Sequence, residues 1–144
     1  MKKKSRKPKS TPAAKHNLPR IGLEATVELT VPFEWTIQKL DMRLPAVLST
    51  PAMIGMMEMA SAQAVRDELP PGAITVGTRI EVDHLKAATV GANVRAHARL
   101  AGYKGRFLIF ETVARSGEHV IGRGRVFRAI VEPAKFHAKA QTHT

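Results

Sequence analysis

From Ala25 to Val31 apolar positions (Ala25, Val27, Leu29, Val31) alternate with Thr26, Glu28 and Thr30. This period of two is that of a strand with one face buried. After a mixed connection from Pro32 to Pro45 the pattern changes. Between Pro51 and Glu68 apolar residues crowd together without alternating, and the spacing predicts the one long helix of the chain. Thr50 is the expected N-cap. Pro51 has the fixed φ favoured at a first helical position, and it steers the residue before it away from helical geometry. Leu69-Pro70-Pro71-Gly72 stops the helix. Alternation then returns. Thr75 to Leu85 is expected to place Val76, Thr78, Ile80, Val82 and His84 on one face. Val90 to Leu100 sets Val94, Ala96, Ala98 and Leu100 opposite Arg95, His97 and Arg99. Turns at Gly102–Gly105 and Ser116–Glu118 delimit two further strands, over 106–115 and 119–131, and Pro133 to Ala140 forms a short terminal helix.

The order is therefore one strand, one long helix, then four strands expected to be antiparallel neighbours joined by turns. Such an order argues an α+β fold with the helix packed on a single curved sheet. The first half of that helix is apolar nearly all round, so it needs cover on the side away from the sheet. A second subunit would supply it.

A chain of 144 residues suits one domain, and 44% hydrophobic with 24% charged residues is a globular balance. No cysteine is present, which excludes disulfide scaffolds, thiolate metal sites and cysteine nucleophiles. No apolar run reaches the ~18–20 residues of a membrane span, and the N-terminus lacks a signal-peptide core. A cytoplasmic location is the simplest expectation. The net charge of +11 changes the picture only at one end. Residues 1–20 carry eight Lys/Arg and no acid, whereas the remainder carries 15 basic against 12 acidic residues. A proline-bearing basic segment this poor in apolar residues cannot offset its ordering entropy. The chain thus divides into a disordered basic tail, 1–20, and a domain, 21–144. Clustered charge in the tail can attract RNA or DNA weakly and in a salt-sensitive way. With no aromatic residue to stack on bases, the tail is not expected to read sequence.

One residue interrupts the helix. Glu58 stands among Met56, Met57 and Met59. Three readings compete for it: a helix-edge side chain in solvent, a structural ion pair with a buried arginine, or a catalytic carboxylate raised towards neutrality by desolvation. No nucleophile elbow, phosphate-binding loop or HExxH helix offers a rival centre, and the histidines form no metal-like cluster.

Three stretches carry a family pattern. One is a Thr followed eight residues later by Glu in the Met-rich helix, Thr50 to Glu58. The second is Gly77-Thr78-Arg79-Ile80-Glu81-Val82-Asp83-His84. The third is the closing segment Gly122 to Val131 with Lys135-Phe136. In this order they make the chain, from about Val27 to Lys139, resemble the hotdog-fold thioesterases, most closely the fluoroacetyl-coenzyme A thioesterase type. The resemblance implies a cofactor-free homodimer, a long central helix wrapped by a curved antiparallel sheet, and hydrolysis of an acyl-coenzyme A thioester at the dimer interface. Thr50, Glu58 and His84 would be the catalytic group. Gly77 would offer its backbone near the thioester, and Arg128 would be an active-site or ligand-binding residue. No metal is implied. One departure concerns the lid: the segment Phe33 to Leu48 is shorter than that of the fluoroacetyl enzyme and has no Phe near Thr50, so fluoroacetyl specificity is not carried over.

The chemistry suits the residues. Glu58 could activate water or attack the carbonyl itself, His84 could donate a proton, and a helix start can hold an oxyanion. Bland roles stand beside these: Thr50 as a cap, His84 as a satisfied core histidine, Gly77 relieving packing, Arg128 on a solvated face with Arg123 and Arg125. Arg123 and Arg125, with Lys104 and Arg106, could instead meet coenzyme A phosphates. Eight helical residues span roughly 12 Å at ~1.5 Å each. Thr50 and Glu58 therefore meet only if the helix starts later or the groups converge across a dimer. The rival classes are a non-catalytic module holding acyl-coenzyme A or an apolar ligand in the same groove, and a nucleic-acid-associated protein acting through its tail.

Overall fold

The computed structural model describes residues 18–142. Their elements are β1 (Glu24–Thr30), α1 (Thr50–Val65), β2 (Ile74–His84), β3 (Asn93–Lys104), β4 (Phe107–Ser116), β5 (His119–Val131) and α2 (Pro133–Gln141). All five strands form one antiparallel sheet in the order β1-β3-β4-β5-β2. The α+β architecture is as expected, with one correction to its topology. β3, β4 and β5 are turn-linked neighbours, but β2 pairs with β5 at the far edge and not with β3. The chain crosses over between β2 and β3 because α1 carries it from β1 to the opposite edge of the sheet. The returning segment is tied down on the way: Leu48 N–H donates to Ala88 O at 2.8 Å, and Ala88 is buried.

α1 lies on the inner face of the sheet. Met53, Met56, Met57, Ala60 and Val65 are buried against Val94, Ala96, Ala98 and Leu100 of β3, Leu108 and Phe110 of β4, and Ile121 and Val126 of β5. The alternation read in β3 is therefore the core face of that strand. Its two alanines let the helix approach closely, and each buried methionine contributes about 1.5–3 kcal/mol of burial. Register shifts in the β2–β5, β3–β4 and β4–β5 pairings, with the extra residue in β2, β3 and β5, bend the sheet around the helix.

The cap assignment needs correction. Ser49 is the N-cap, its Oγ accepting from Ala52 N–H at 3.2 Å, and Thr50 is the first helical residue. The Thr50 hydroxyl is engaged elsewhere, as described below, so the hydroxyl one position earlier takes the cap. Arg66–Glu68 add a tighter 3₁₀ turn before Leu69 leaves the helix. On the side away from the sheet, Pro51, Gly55 and Met59 lie exposed, Met59 at 47%. An apolar stripe along α1 is thus uncovered in the single chain.

Of the basic segment 1–20, residues 1–17 lie outside the described residues. Of the last three, Pro19 and Arg20 are held on the body: Tyr103 donates to Pro19 O at 2.6 Å, and Arg20 pairs with Glu68 at 2.6 Å. No helix among the described residues is long and apolar enough to cross a membrane.

Candidate active site

The site is organised by an irregularity in β2. Gly77 pairs with Arg128 and Arg79 with Phe127, which leaves Thr78 as an extra residue, a bulge. A bulge reverses the parity of side chains beyond it. Before it, Thr75 and Gly77 face α1; after it, Val82 and His84 do, while Arg79 and Glu81 turn outward to Arg125 and Phe127. The single alternating face expected from Val76 to His84 is therefore broken at Thr78. The consequence is chemical. Gly77 and His84 stand seven positions apart, an odd number that strict alternation would send to opposite faces, and the bulge brings them to the same one.

Two clusters result. At the head of α1, Thr50 Oγ1 and His84 Nδ1 share a hydrogen bond of 2.7 Å. His84 Nε2 is buried with no partner. Beside this pair lies a groove of about 250 Å³ walled by Ile37, Val47, Leu48 and Leu85. The wall is pinned by bridges from Thr36 to Leu48 and from Val47 to Thr89. A buried ring nitrogen without a partner costs free energy unless something enters to meet it.

Two turns further along α1, Glu58 leaves the core that its neighbours Met56 and Met57 enter, and its side chain is 36% exposed. Its Oε1 accepts from Arg128 Nη1 at 3.2 Å. Of the three readings of Glu58, the ion pair with a buried arginine is thus realised. The pair leaves the carboxylate open to a shallow groove lined by Gly55, Met59, Thr75, Gly77 and Arg128. Arg128 is the enclosed member. Burial pulls its pKa below the ordinary guanidinium value, and the charge of Glu58 opposes that shift. Its other donors go to one residue, Nε–H to Thr75 Oγ1 and Nη2–H to Thr75 O, both at 2.8 Å. Arg128 therefore does not share a face with Arg125, three positions earlier on β5. Arg125 points outward, where it and Arg79 bind Glu81 and flank Phe127.

Gly77 has a specific steric reason to be glycine. A Cβ there would collide with Glu58 Oε1 and lie 3.3 Å from its Cδ. Gly122, on the neighbouring strand, answers the same demand beneath Met53, where a Cβ would stand 2.5 Å from Cε and Sδ.

Of the predicted site residues, Thr50 joins His84, and Glu58 joins Gly77 and Arg128. Within one chain the two groups line separate grooves, as eight residues of regular helix require. Since α1 is helical from Thr50 onward, a later helix start does not bridge the gap. Sequence reasoning missed Thr75, which anchors Arg128, and Ser49, which caps α1. Thr75 gives no local signal, because its partner is set by the β2–β5 register. The odd spacing of Gly77 and His84 was the available signal for the bulge.

Comparisons with known proteins identify the family and the fold. The family described as fluoroacetyl-CoA-specific thioesterase matches the chain over residues 31–134. The fluoroacetyl-CoA thioesterase of Streptantibioticus cattleyicolor is 34% identical over 131 residues, covering 87% of this chain and 94% of that protein. A solved fluoroacetyl-CoA thioesterase with alanine in place of a threonine, in complex with fluoroacetate, superposes with a TM-score of 0.79 at 33% identity, covering 87% of this chain and 98% of that one. A hot-dog-like protein from Thermanaerovibrio acidaminovorans shares the fold at 20% identity, with a TM-score of 0.78 over 85% of this chain and 91% of that one.

Proposed function

The chain belongs to the fluoroacetyl-CoA-specific thioesterase family, and from that premise we propose that its hydrolysis of acyl-coenzyme A thioesters takes place in a site shared between two copies. The protein is a thioester hydrolase of hotdog fold. Thr50 and His84 of one copy face Glu58, Gly77 and Arg128 of the other.

The observation that carries this reading is the uncovered stripe between the two clusters. Residues 50 and 58 are equidistant from position 54, beside Gly55, whose missing side chain leaves open space. Two α1 helices lying antiparallel about a two-fold axis near Gly55 bring Thr50 of each opposite Glu58 of the other. A two-fold contact is self-complementary, so the same stripe covers itself and both sites form at once. Burial of Met59 and its neighbours supplies the apolar drive.

In such a site each group has a distinct task. Glu58, held by one oxygen, keeps the other free to take a proton from water or to attack the thioester carbon. Gly77 gives the space a Cβ would fill to the Glu58 carboxylate, which can therefore lie close against the β2 backbone. The buried Nε2 of His84 has no protein partner and would be met by a substrate atom that opens a path to it, with Thr50 fixing the ring through Nδ1. The start of α1 adds partial positive charge where an oxyanion develops. The acyl group is not set by the relative's name. The Phe33–Leu48 segment has no Phe next to Thr50, and fluoroacetyl selectivity is not expected.

A panel of short and medium acyl-coenzyme A esters, assayed by release of free thiol, tests the reading. Turnover of at least one substrate is expected, falling by about 10²-fold or more in Glu58→Ala. No turnover on any substrate, or full turnover in Glu58→Ala, would sink it.

A further inference from the structure

The Glu58–Arg128 pair is not self-sufficient. The guanidinium has two bonds of 2.8 Å to Thr75 and one of 3.2 Å to Glu58, so Thr75 and not the carboxylate fixes its orientation. Arg128 and Thr75 are both 8% exposed, and neither side chain can swing out to water without opening the sheet edge. Thr75 takes up the Nε–Nη2 edge of the fork with its hydroxyl and its own carbonyl. Only Nη1 is then aimed across to Glu58. An arginine fork is planar and rigid, so fixing one edge fixes the direction of the third nitrogen.

We propose that Thr75 is a positioning residue for the reaction: through Arg128 it sets which Glu58 oxygen is held and which is left free. This rests on Glu58 being the reacting carboxylate. Thr75 is well placed for the task. It lies two residues before Gly77, on the same side of the bulge, and it lines the groove into which Glu58 opens. Its carbonyl survives any substitution, so the hydroxyl contribution can be removed alone. Valine has nearly the shape of threonine but lacks the hydroxyl, and with it the acceptor for Arg128 Nε–H. In Thr75→Val the Nε–H loses its partner inside the protein, and the fork turns to recover one. Glu58 then loses its fixed direction while the walls of the groove stay in place.

The experiment compares Thr75→Val, Thr75→Ser and Arg128→Met, and combines Thr75→Val with Arg128→Met, on the best acyl-coenzyme A of the panel. Thr75→Val is expected to lower kcat about tenfold with KM changed less than about twofold, a part of the ~10²-fold that a 1 Å misplacement of a reacting group costs, because the Thr75 carbonyl still holds the guanidinium. Thr75→Ser restores kcat to within about twofold. In the Arg128→Met background, Thr75→Val adds less than about twofold, because its effect passes through the arginine. Thermal unfolding of each variant accompanies the assay. Unchanged kcat in folded Thr75→Val, no rescue by serine, or the same tenfold loss in both backgrounds would each overturn the inference while leaving the thioesterase reading intact. Absence of wild-type turnover overturns both.

Discussion

At the residue scale, the role of Glu58 depends on what its neighbours lack. Gly77 has no Cβ, and that vacancy is where the carboxylate sits. Gly77→Ala must push Glu58 off its bond with Arg128 or move β2. A displacement of about 1 Å at a reacting group can cost ~10²-fold, so kcat/KM is expected to fall by roughly that factor. Steady-state kinetics beside a thermal melt check this, and wild-type kcat/KM in a folded Gly77→Ala protein would contradict the steric account. Glu58 itself was conspicuous in the sequence as a carboxylate among methionines. Its arginine was not, because Arg128 sits 70 positions away and beside two arginines whose side chains could have shared its face. Strand pairing separates them. The odd offset from Arg125 turns Arg128 inward, and contact with Thr75 and Glu58 keeps it there.

At the scale of elements, α1 and β2 were both legible, one from its crowded apolar residues and proline start, the other from alternation. Their details were decided by competition between partners. Thr50 and Ser49 are both competent caps; His84 engages the first, and the second caps. Ser49→Ala is therefore expected to destabilise the fold by about 1 kcal/mol, read from denaturant unfolding, whereas Thr50→Ala leaves the cap in place. Equal losses of stability would argue that Thr50 shares the capping role. The bulge at Thr78 has a comparable standing. It costs one ladder position, and it brings Gly77 and His84 to the helix side of one strand. Deleting Thr78 leaves Gly77 and His84 six positions apart, an even spacing that regular alternation also keeps on one face. Unchanged circular dichroism with turnover retained is the expected result, and a loss of turnover in a folded protein would argue that the bulge itself shapes the site.

At the scale of the whole molecule, the proposal that two copies share each site makes activity depend on covering the exposed stripe of α1. If each site draws on two copies, chains carrying Glu58→Ala and chains carrying His84→Ala are separately inactive, yet mixing them restores activity. Random exchange makes half the dimers hybrid, each with one intact site of two, so about a quarter of wild-type activity returns. No recovery after verified exchange would place all the groups within one chain. Replacing Met59 by lysine should yield monomers in sedimentation and abolish turnover together, since burying an unpaired charge in the contact is costly. The sequence by itself determined the α+β composition, the long helix and the core face of β3, which follow from periodicity local along the chain. It pointed to the candidate groups through the resemblance of three short stretches to a family pattern. Only the tertiary structure decided that β2 joins β5, that a bulge reverses its faces, and that Thr75 orients Arg128 towards Glu58. Each of these depends on register between segments some fifty residues apart, and register is set by packing against α1, which no local pattern encodes.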